Sequence, residues 1–187
     1  MFGDDLVPYL PEHIRPYANQ LKQFPEGYEK WVYAASLPAE TYQGDVFNKM
    51  SLASIDDDGA PIHAEIPGMV VSNTCDTQPK QGHFVLVAPV FDLEDYRKGS
   101  DLKDEALESH VRDLKQNKIS QLMFLPKGRG INDCFVDFGN ICSVSLKHFH
   151  SKNEKRFQSL SQCGHYFMLV KLAYHFTRPE PSDAKRK

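Results

Sequence analysis

The stretch Ile66–Val90, IPGMVVSNTCDTQPKQGHFVLVAPV, decides the fold predicted for this chain. It contains two short apolar runs, Met69–Val71 and Phe84–Val87, and a polar segment joins them. Apolar runs of this length between Gly and Pro residues are typical of strands buried on both faces. We therefore expect two central strands of a small β-barrel, with the polar segment at its rim.

Length and composition limit the classes of protein to which the chain can belong. Its 187 residues, 41% of them hydrophobic, suffice for one well-buried core. The formal net charge of −3 gives no overall attraction to nucleic acid or membranes, so any nucleic-acid site must be a local patch. No apolar stretch is long enough to cross a bilayer, and acids follow Met1 where a signal peptide carries positive charge. We expect a cytoplasmic protein without a membrane partner.

A hairpin is predicted before this stretch and three strands after it, giving an α+β fold that is mainly β. The first strand opens at Gly44 and ends before Asp56–Gly59, a strong turn signal because Asp tolerates left-handed backbone and Gly adopts it freely. These aspartates also suggest calcium, but the other ligands of a calcium loop are missing. The later strands are predicted at 121–125, 134–138 and 141–144. The last two form either a tight hairpin or one strand bent at Gly139.

Helical periodicity places an amphipathic helix at 101–116, with Ser100 as its N-cap, inside the predicted barrel domain 44–178. A terminal helix is predicted at 154–177. Its part from Tyr166 to Phe176 is nearly all apolar, so it is either buried on more than one side or forms a homodimer interface.

The two ends of the chain are predicted to lie outside the barrel. Residues 1–43, which are rich in Pro and Tyr, form an N-terminal arm with a short helix at 11–24. The ring of Trp31 is expected to pin this arm onto the barrel. Residues 179–187 are predicted to be a disordered basic tail.

The cysteine pattern indicates neither a disulfide framework nor a zinc ribbon, since Cys75, Cys134, Cys142 and Cys163 are widely spaced. We interpret them as reduced thiols. Thiolates and imidazole suit zinc, but Cys75, His83, Cys134 and Cys142 include no pair with a zinc-ligand spacing. We therefore expect no metal and no cofactor.

The polar segment within the opening stretch carries most of the candidate chemistry. Its residues are Ser72, Asn73, Thr74, Cys75 and Asp76. The polar side chains can bind a ligand by hydrogen bonds. One hypothesis makes Cys75 a nucleophile activated by His83 or His63. The alternative makes Cys75 a small buried hydrophobe and Asp76 an acceptor for loop amides.

Basic residues concentrate in one later run of the chain. They are Lys147, His148, His150, Lys152, Lys155 and Arg156, with Phe149 and Phe157 among them. Such a run can hold a nucleic-acid backbone. The alternative interpretation is a solvated start of the terminal helix.

The order of these motifs resembles the PemK/MazF growth inhibitors. The resemblance is carried by Gly44-Asp45-Val46, the turn with Gly59, Pro67–Ser72, Val85–Val90 and Val136–Leu146. It extends over residues 44–177 and implies an SH3-like barrel, sequence-specific endoribonuclease activity in toxin–antitoxin pairs, and usually a dimer.

Two positions depart from that family in a way that concerns its chemistry. The family has an Arg that stabilises the transition state and a hydroxyl that positions the scissile phosphate, and Ile66 and Phe91 stand here instead. Neither side chain can hold a phosphate. A diverged nuclease would need a replacement cation from Arg129, Lys127 or Arg156.

The sequence leaves three functions open. We prefer a non-catalytic PemK-like binding module of a toxin–antitoxin or phage-defence system, engaging nucleic acid or a protein partner. The alternatives are a diverged endoribonuclease and a cysteine-dependent enzyme centred on Cys75.

Overall fold

The computed structural model describes residues 28–78, 83–128, 130–151 and 155–176, which form an α+β protein. The strands are β1 (Val46–Ile55), β2 (Pro61–Val70), β3 (Phe84–Asp92), β4 (Leu122–Leu125), β5 (Cys134–Asp137), β6 (Cys142–Ser145) and β7 (Arg156–Gln158). The helices are α1 (Tyr28–Trp31), α2 (Leu93–Gly99), α3 (Asp104–Lys115), α4 (Leu146–Ser151) and α5 (Gln162–Phe176). Helix and strand contribute about equally, so the prediction of a mainly β fold overstated the strands.

All seven strands belong to one antiparallel sheet in the order β4-β5-β3-β2-β1-β7, with β6 also paired to β3. Within the described ranges no ladder joins β4 to β7, so the predicted closed barrel is wrong. These edge strands are short, and Tyr33 links them instead, through its backbone on one side and its hydroxyl group on the other. Tyr33 bridges to Leu160 just after β7, and its hydroxyl donates to the Pro126 carbonyl just after β4, at 2.7 Å.

Strand β3 is the centre of the sheet, as the opening stretch predicts. It pairs with β2 on one side and with both β5 and β6 on the other. Strands β5 and β6 follow each other in the chain and both pair with β3, so they are two halves of one bent strand. The prediction of a strand bent at Gly139 is confirmed, and the alternative of a tight hairpin is wrong. The bend is fixed by Asp137, whose carboxylate accepts from the Gly139 amide at 2.8 Å and from Asn140 Nδ2 at 2.7 Å.

The predicted turn between β1 and β2 is confirmed. Gly59 has a left-handed φ of 83°. The Asp56 carboxylate accepts from the amides of Asp58 at 3.0 Å and Ala60 at 2.7 Å. Side-chain acceptance from loop amides explains why Asp suits the first position of this turn.

Helix α5 covers the main core on one face of the sheet. Phe167 and Met168 are buried there, and Trp31 packs against the same core from the N-terminal side, as predicted. A Cβ at Gly164 would lie 2.2 Å from the Val32 carbonyl oxygen, so only glycine allows this close approach. The predicted helix 11–24 and tail 179–187 lie outside the described residues.

The boundaries of both predicted helices need correction. The terminal helix begins at Gln162 rather than at 154, because Arg156–Gln158 pair with β1 as strand β7. The inserted helix is α3, and Ser100 follows α2 as its C-cap instead of starting α3. Helix α3 buries Val111 and Leu114 against the outer side of β4 and β5. No helix in the described part of the chain is long and apolar enough to cross a membrane.

Candidate functional site

Helix α4 brings together the two regions that the sequence singles out. The Leu146 amide, at its start, donates to the His83 carbonyl at 2.9 Å. His150 Nε2, near its end, lies 3.0 Å from the Thr77 carbonyl oxygen, which can only accept, so this nitrogen donates. The basic run therefore lies beside the polar segment. We define the rim surface as the exposed side chains Asn73, Cys75, Asp76, His83, Lys147 and His150.

The apolar residues of α4 decide which of its side chains face solvent. Leu146 and Phe149 are buried in a second core on the other side of the sheet, where the Phe149 and Phe47 rings meet edge to face at 5.2 Å. Residues three apart share one face of a helix, so burial of this pair turns Lys147 and His150 outward. Both are exposed.

The polar segment ends in a 3-10 turn, Thr74–Thr77, whose threonines point inward. The buried Thr77 hydroxyl donates to the Thr74 carbonyl at 2.7 Å. The Thr74 hydroxyl oxygen accepts from the Gln43 amide at 3.2 Å. With the threonines holding the turn, Cys75 and Asp76 are left exposed on its outer side.

Two predicted binding residues therefore have structural partners. Ser72 is buried, and its hydroxyl oxygen accepts from the Leu86 amide at 2.8 Å, which extends the pairing between β2 and β3. Thr74 is tied to Gln43. Asn73 and Asp76 are exposed, so of the predicted ligand-binding residues in this segment they are the ones open to a ligand.

The structure supports neither interpretation of Cys75. The thiol is free and exposed, so the prediction of a buried hydrophobe is wrong. Within the described ranges, however, the Cys75 sulfur makes no hydrogen bond to His83 or to any other base. His63 precedes the end of β2 at Val70 by seven residues, about 23 Å of strand. A Cys-His pair is therefore not assembled here.

Arg156 is committed to the fold, in contrast to its predicted role in binding or in nuclease chemistry. Its guanidinium pairs with the fully buried Asp45 at 2.6 Å and donates to the carbonyls of Pro38 and Glu40. Asp45 also accepts from the Ser159 hydroxyl at 2.5 Å. We call Asp45, Arg156 and Ser159 the Asp45 cluster. A guanidinium held in this way cannot also clamp a phosphate.

Of the remaining candidate cations, Lys127 and Lys155 lie in the described part of the chain. Arg129 and Lys152 lie outside the described residues. Lys127 is exposed, and its amide donates to Asp133 Oδ1 at 2.9 Å. Lys155 is exposed just before β7.

The positions where the PemK/MazF residues are missing hold apolar packing. Ile66 is partly buried against the second core, and Phe91 packs on Phe135 with ring centroids 5.6 Å apart. Neither side chain offers a donor, so the family's phosphate chemistry has no counterpart at these two positions.

No group of three or more His, Cys, Asp or Glu residues suited to a metal occurs in the described part of the chain. Two of the cysteines considered for zinc pack in different cores. Cys134 belongs to the main core, where burial raises the pKa of its thiol to about 12. Cys142 packs against the second core and donates its thiol to the Ala53 carbonyl at 3.1 Å.

An open groove of about 290 Å³ lies on the β1–β2 hairpin, away from the rim surface. It is lined by Ser51, Leu52, Ala53, His63, Ala64 and Glu65. Glu65 pairs with Lys49 at 2.5 Å, and Ser51 and His63 share no hydrogen bond. These described residues do not form a nucleophile with its base.

Sequence reasoning missed the exposure of β3 at its beginning. The sequence predicts that Phe84–Val87 is buried on both faces, but Phe84 is 61% and Leu86 41% exposed, while Val85 and Val87 are fully buried. All four residues are apolar, so a pattern of polar and apolar residues gives no sign of the alternation.

No family model matches this chain, and a search of curated proteins finds no relative. The likeness to the PemK/MazF growth inhibitors therefore rests on the motifs and their order.

Proposed function

We propose that this chain is a non-catalytic PemK-like binding module that engages nucleic acid through the rim surface. The observation that carries the proposal is the position of α4, whose exposed His150 contacts the turn that presents Asn73 and Asp76, and whose exposed Lys147 lies three residues before His150 on the same helix face. A cation beside hydrogen-bonding groups is the combination that phosphates and bases require.

Lys147 supplies the charge for this contact. It is exposed, and no acid in the described part of the chain pairs with it. Since the net charge of the whole chain is −3, attraction to a polyanion must come from such a local region.

Asp76 divides the rim surface into two parts. Its carboxylate repels phosphate, so the nucleic-acid backbone would pass over α4 rather than over the turn. The carboxylate is then placed to accept from the amino group of a base, as acidic side chains do with cytosine. The Asn73 side-chain amide has two donors and one acceptor, so it can bind a base edge that donates a hydrogen bond or one that accepts.

The described part of the chain assembles no catalytic set, which supports binding without turnover. In the described residues Arg156 is held by Asp45, Cys75 has no base in contact, and the nuclease positions carry Ile66 and Phe91. The resemblance to growth inhibitors makes a toxin–antitoxin or phage-defence system the setting that we propose for this module. A protein partner on the same surface is the competing possibility.

The test uses the purified chain and a fluorescently labelled RNA, with affinity measured by anisotropy over a range of salt concentrations. We expect Lys147→Gln to weaken binding and to reduce the slope of log affinity against log salt by about 0.7 to 1. Lys98→Gln is the matched control, because Lys98 is 67% exposed on α2 and lies off the rim surface.

Gel analysis of the same mixtures tests for cleavage. Intact RNA is expected. Cleavage lost in Arg129→Ala would support the diverged nuclease, and cleavage lost in Cys75→Ala would support the cysteine enzyme. Absence of any RNA binding would contradict the proposal.

A further inference from the structure

The hairpin of β1 and β2 extends beyond the strands that flank it. Strand β2 spans Pro61–Val70, but its pairing with β3 covers only Gly68–Val70. The outer side of β1 meets β6, since the Cys142 thiol donates to the Ala53 carbonyl at 3.1 Å. On the outer side of β2, no strand in the described part of the chain pairs with residues 61–67. We call this side of residues 61–67 the β2 edge.

The backbone alternation along β2 decides which groups point out of the β2 edge. The Val71 amide, just after β2, donates to the Leu86 carbonyl of β3 at 2.8 Å, so odd-numbered residues point their backbone groups away from β1. The register irregularity between the two strands adds its extra residue to β1, so the alternation in β2 is unbroken. The backbone groups of His63 and Glu65 therefore point out of the β2 edge.

Two prolines limit the length of the β2 edge. Pro61 and Pro67 are also odd-numbered, and they have no N–H group. His63 and Glu65 thus supply the outward amides of this stretch. Proline at the edge of a sheet restricts pairing with other strands. The β2 edge is therefore suited to one short pairing with a defined register.

A second copy of the chain is complementary to the β2 edge when a two-fold axis passes through Ala64. Two antiparallel β2 strands then place each His63 opposite Glu65 of the other copy. This gives two imidazole–carboxylate pairs, the favourable kind of cross-strand pair. An axis at His63 would instead oppose two imidazoles, and an axis at Glu65 would oppose two carboxylates. Charge therefore selects the axis at Ala64.

The same axis matches the other side chains of the β2 edge. It places Ile62, which is 47% exposed, opposite Ile66 of the other copy, on the face that Ala64 shares. It also places Pro61 opposite Pro67, so the positions without an N–H group oppose each other. Each copy thus covers an exposed apolar side chain of the other.

The carboxylate of Glu65 has an oxygen for each of two partners. Its Oε2 lies 2.5 Å from Lys49 Nζ on the neighbouring strand β1. A carboxylate accepts hydrogen bonds at both oxygens, so the ion pair with Lys49 is compatible with a contact to His63 of a second copy.

We propose that the β2 edge is a homodimer interface, in which two copies join their sheets across a two-fold axis at Ala64. The resemblance to growth inhibitors implies a dimer, and the structure adds the surface. Its self-complementary charges favour a second copy over an unrelated strand. Because the two β2 edges occupy each other, the assembly closes at two chains. The proposal does not depend on nucleic-acid binding at the rim surface.

Sedimentation of the purified chain over a range of concentrations should show a monomer–dimer equilibrium. His63→Glu opposes two carboxylates twice and should weaken dimerisation about tenfold or more. Adding Glu65→Lys to the same chain restores opposite charges in the same register and should restore the dimer. Lys98→Glu is the matched control, because Lys98 is 67% exposed on α2 and lies outside the β2 edge.

Cysteine cross-linking measures the register directly. In a chain with Ser at the exposed positions Cys75 and Cys163, Ala64→Cys places two thiols at a non-hydrogen-bonded pair. The Cα atoms of such a pair are about 4.5 Å apart, which a disulfide can span. Oxidation should give a covalent dimer on a non-reducing gel. Ser54→Cys, at an exposed position of β1, is the control and should stay monomeric.

A monomer at every concentration would contradict the proposal, and so would a dimer that neither weakens with His63→Glu nor cross-links through Ala64→Cys. A dimer dispersed by Phe176→Asp, at the exposed end of α5, but not by His63→Glu would assign the interface to the terminal helix instead. Circular dichroism checks that each variant is folded, which the exposure of His63 and Glu65 leads us to expect.

Discussion

The Asp45 cluster and the rim surface use similar side chains in opposite environments. In the cluster, Asp45 is fully buried and the Arg156 side chain is 14% exposed. On the rim surface, Asp76 and Lys147 are both exposed. One basic run of the sequence therefore divides in the fold into a cation that stabilises the protein and a cation that is open to a ligand.

Because of this difference in burial, substitutions in the two regions are expected to change different properties. Removing one partner of a buried ion pair leaves a desolvated charge, which costs several kcal/mol, whereas exposed charges contribute little to stability. Changes in the Asp45 cluster should act on unfolding. Changes on the rim surface should act on binding.

Asp45→Asn is the substitution from which we expect the largest loss of stability. It removes the charge that faces Arg156 and weakens acceptance from Ser159, so we expect the free energy of unfolding to fall by about 3–5 kcal/mol in urea titrations. Asp76→Asn is the control and should stay within about 0.5 kcal/mol of wild type. Equal effects of the two substitutions would remove the distinction between the regions.

A second buried cation, Lys171, extends the comparison to pH. Its ammonium group donates to the carbonyls of Asn117 at 3.0 Å and Ile119 at 2.5 Å, and burial lowers its pKa to about 7. An unfolded Lys keeps its proton up to a pKa of about 10.4. Between these values the unfolded state binds more protons, so stability should rise with pH.

The measurement is the free energy of unfolding of wild type minus that of Lys171→Met, at pH 7 and at pH 9. The difference should increase by about 2 kcal/mol in favour of wild type. Using the difference cancels the opposing contributions of Tyr33 and Cys134, whose raised pKa values lower stability at alkaline pH. A difference that is flat with pH would show that Lys171 does not titrate in this range.

A smaller effect is expected from Ser159→Ala within the Asp45 cluster. It removes one buried donor to Asp45 and leaves Arg156 in place, so unfolding should require about 1–3 kcal/mol less. Ser143→Ala is the control, because Ser143 is exposed on β6, and it should be near neutral. If Ser159→Ala also left the free energy of unfolding unchanged, the ion pair with Arg156 alone would satisfy the Asp45 carboxylate.

The features that the sequence predicts well are local. The turn at Asp56–Gly59 and the inserted helix each depend on a few neighbouring residues, whereas at Gly139 the sequence leaves a bend and a tight hairpin open. Strand β7 has only three residues, too few for a period, and it pairs with β1 across more than a hundred positions. The sheet stays open at the short edge strands β4 and β7, and no local sequence pattern predicts strands of this length.

The candidate site shows the same division. The polar segment and the basic run are both visible in the sequence, but the contact between Thr77 and His150 joins positions 73 apart. The pairing of Arg156 with Asp45 spans 111 positions, so a basic residue committed to the core looks the same in the sequence as one on the surface. Only the fold separates them.

The salt dependence of RNA affinity, measured for wild type, Lys147→Gln and Lys98→Gln, tests the central claim most directly. Lys147→Gln should have a very small effect on stability and a clear effect on binding. We predict that Lys147→Gln unfolds within about 0.5 kcal/mol of wild type while its log affinity against log salt is less steep by about 0.7 to 1, and that Lys98→Gln matches wild type. Identical slopes for all three proteins, or no binding by any of them, would contradict a nucleic-acid interface at the rim surface.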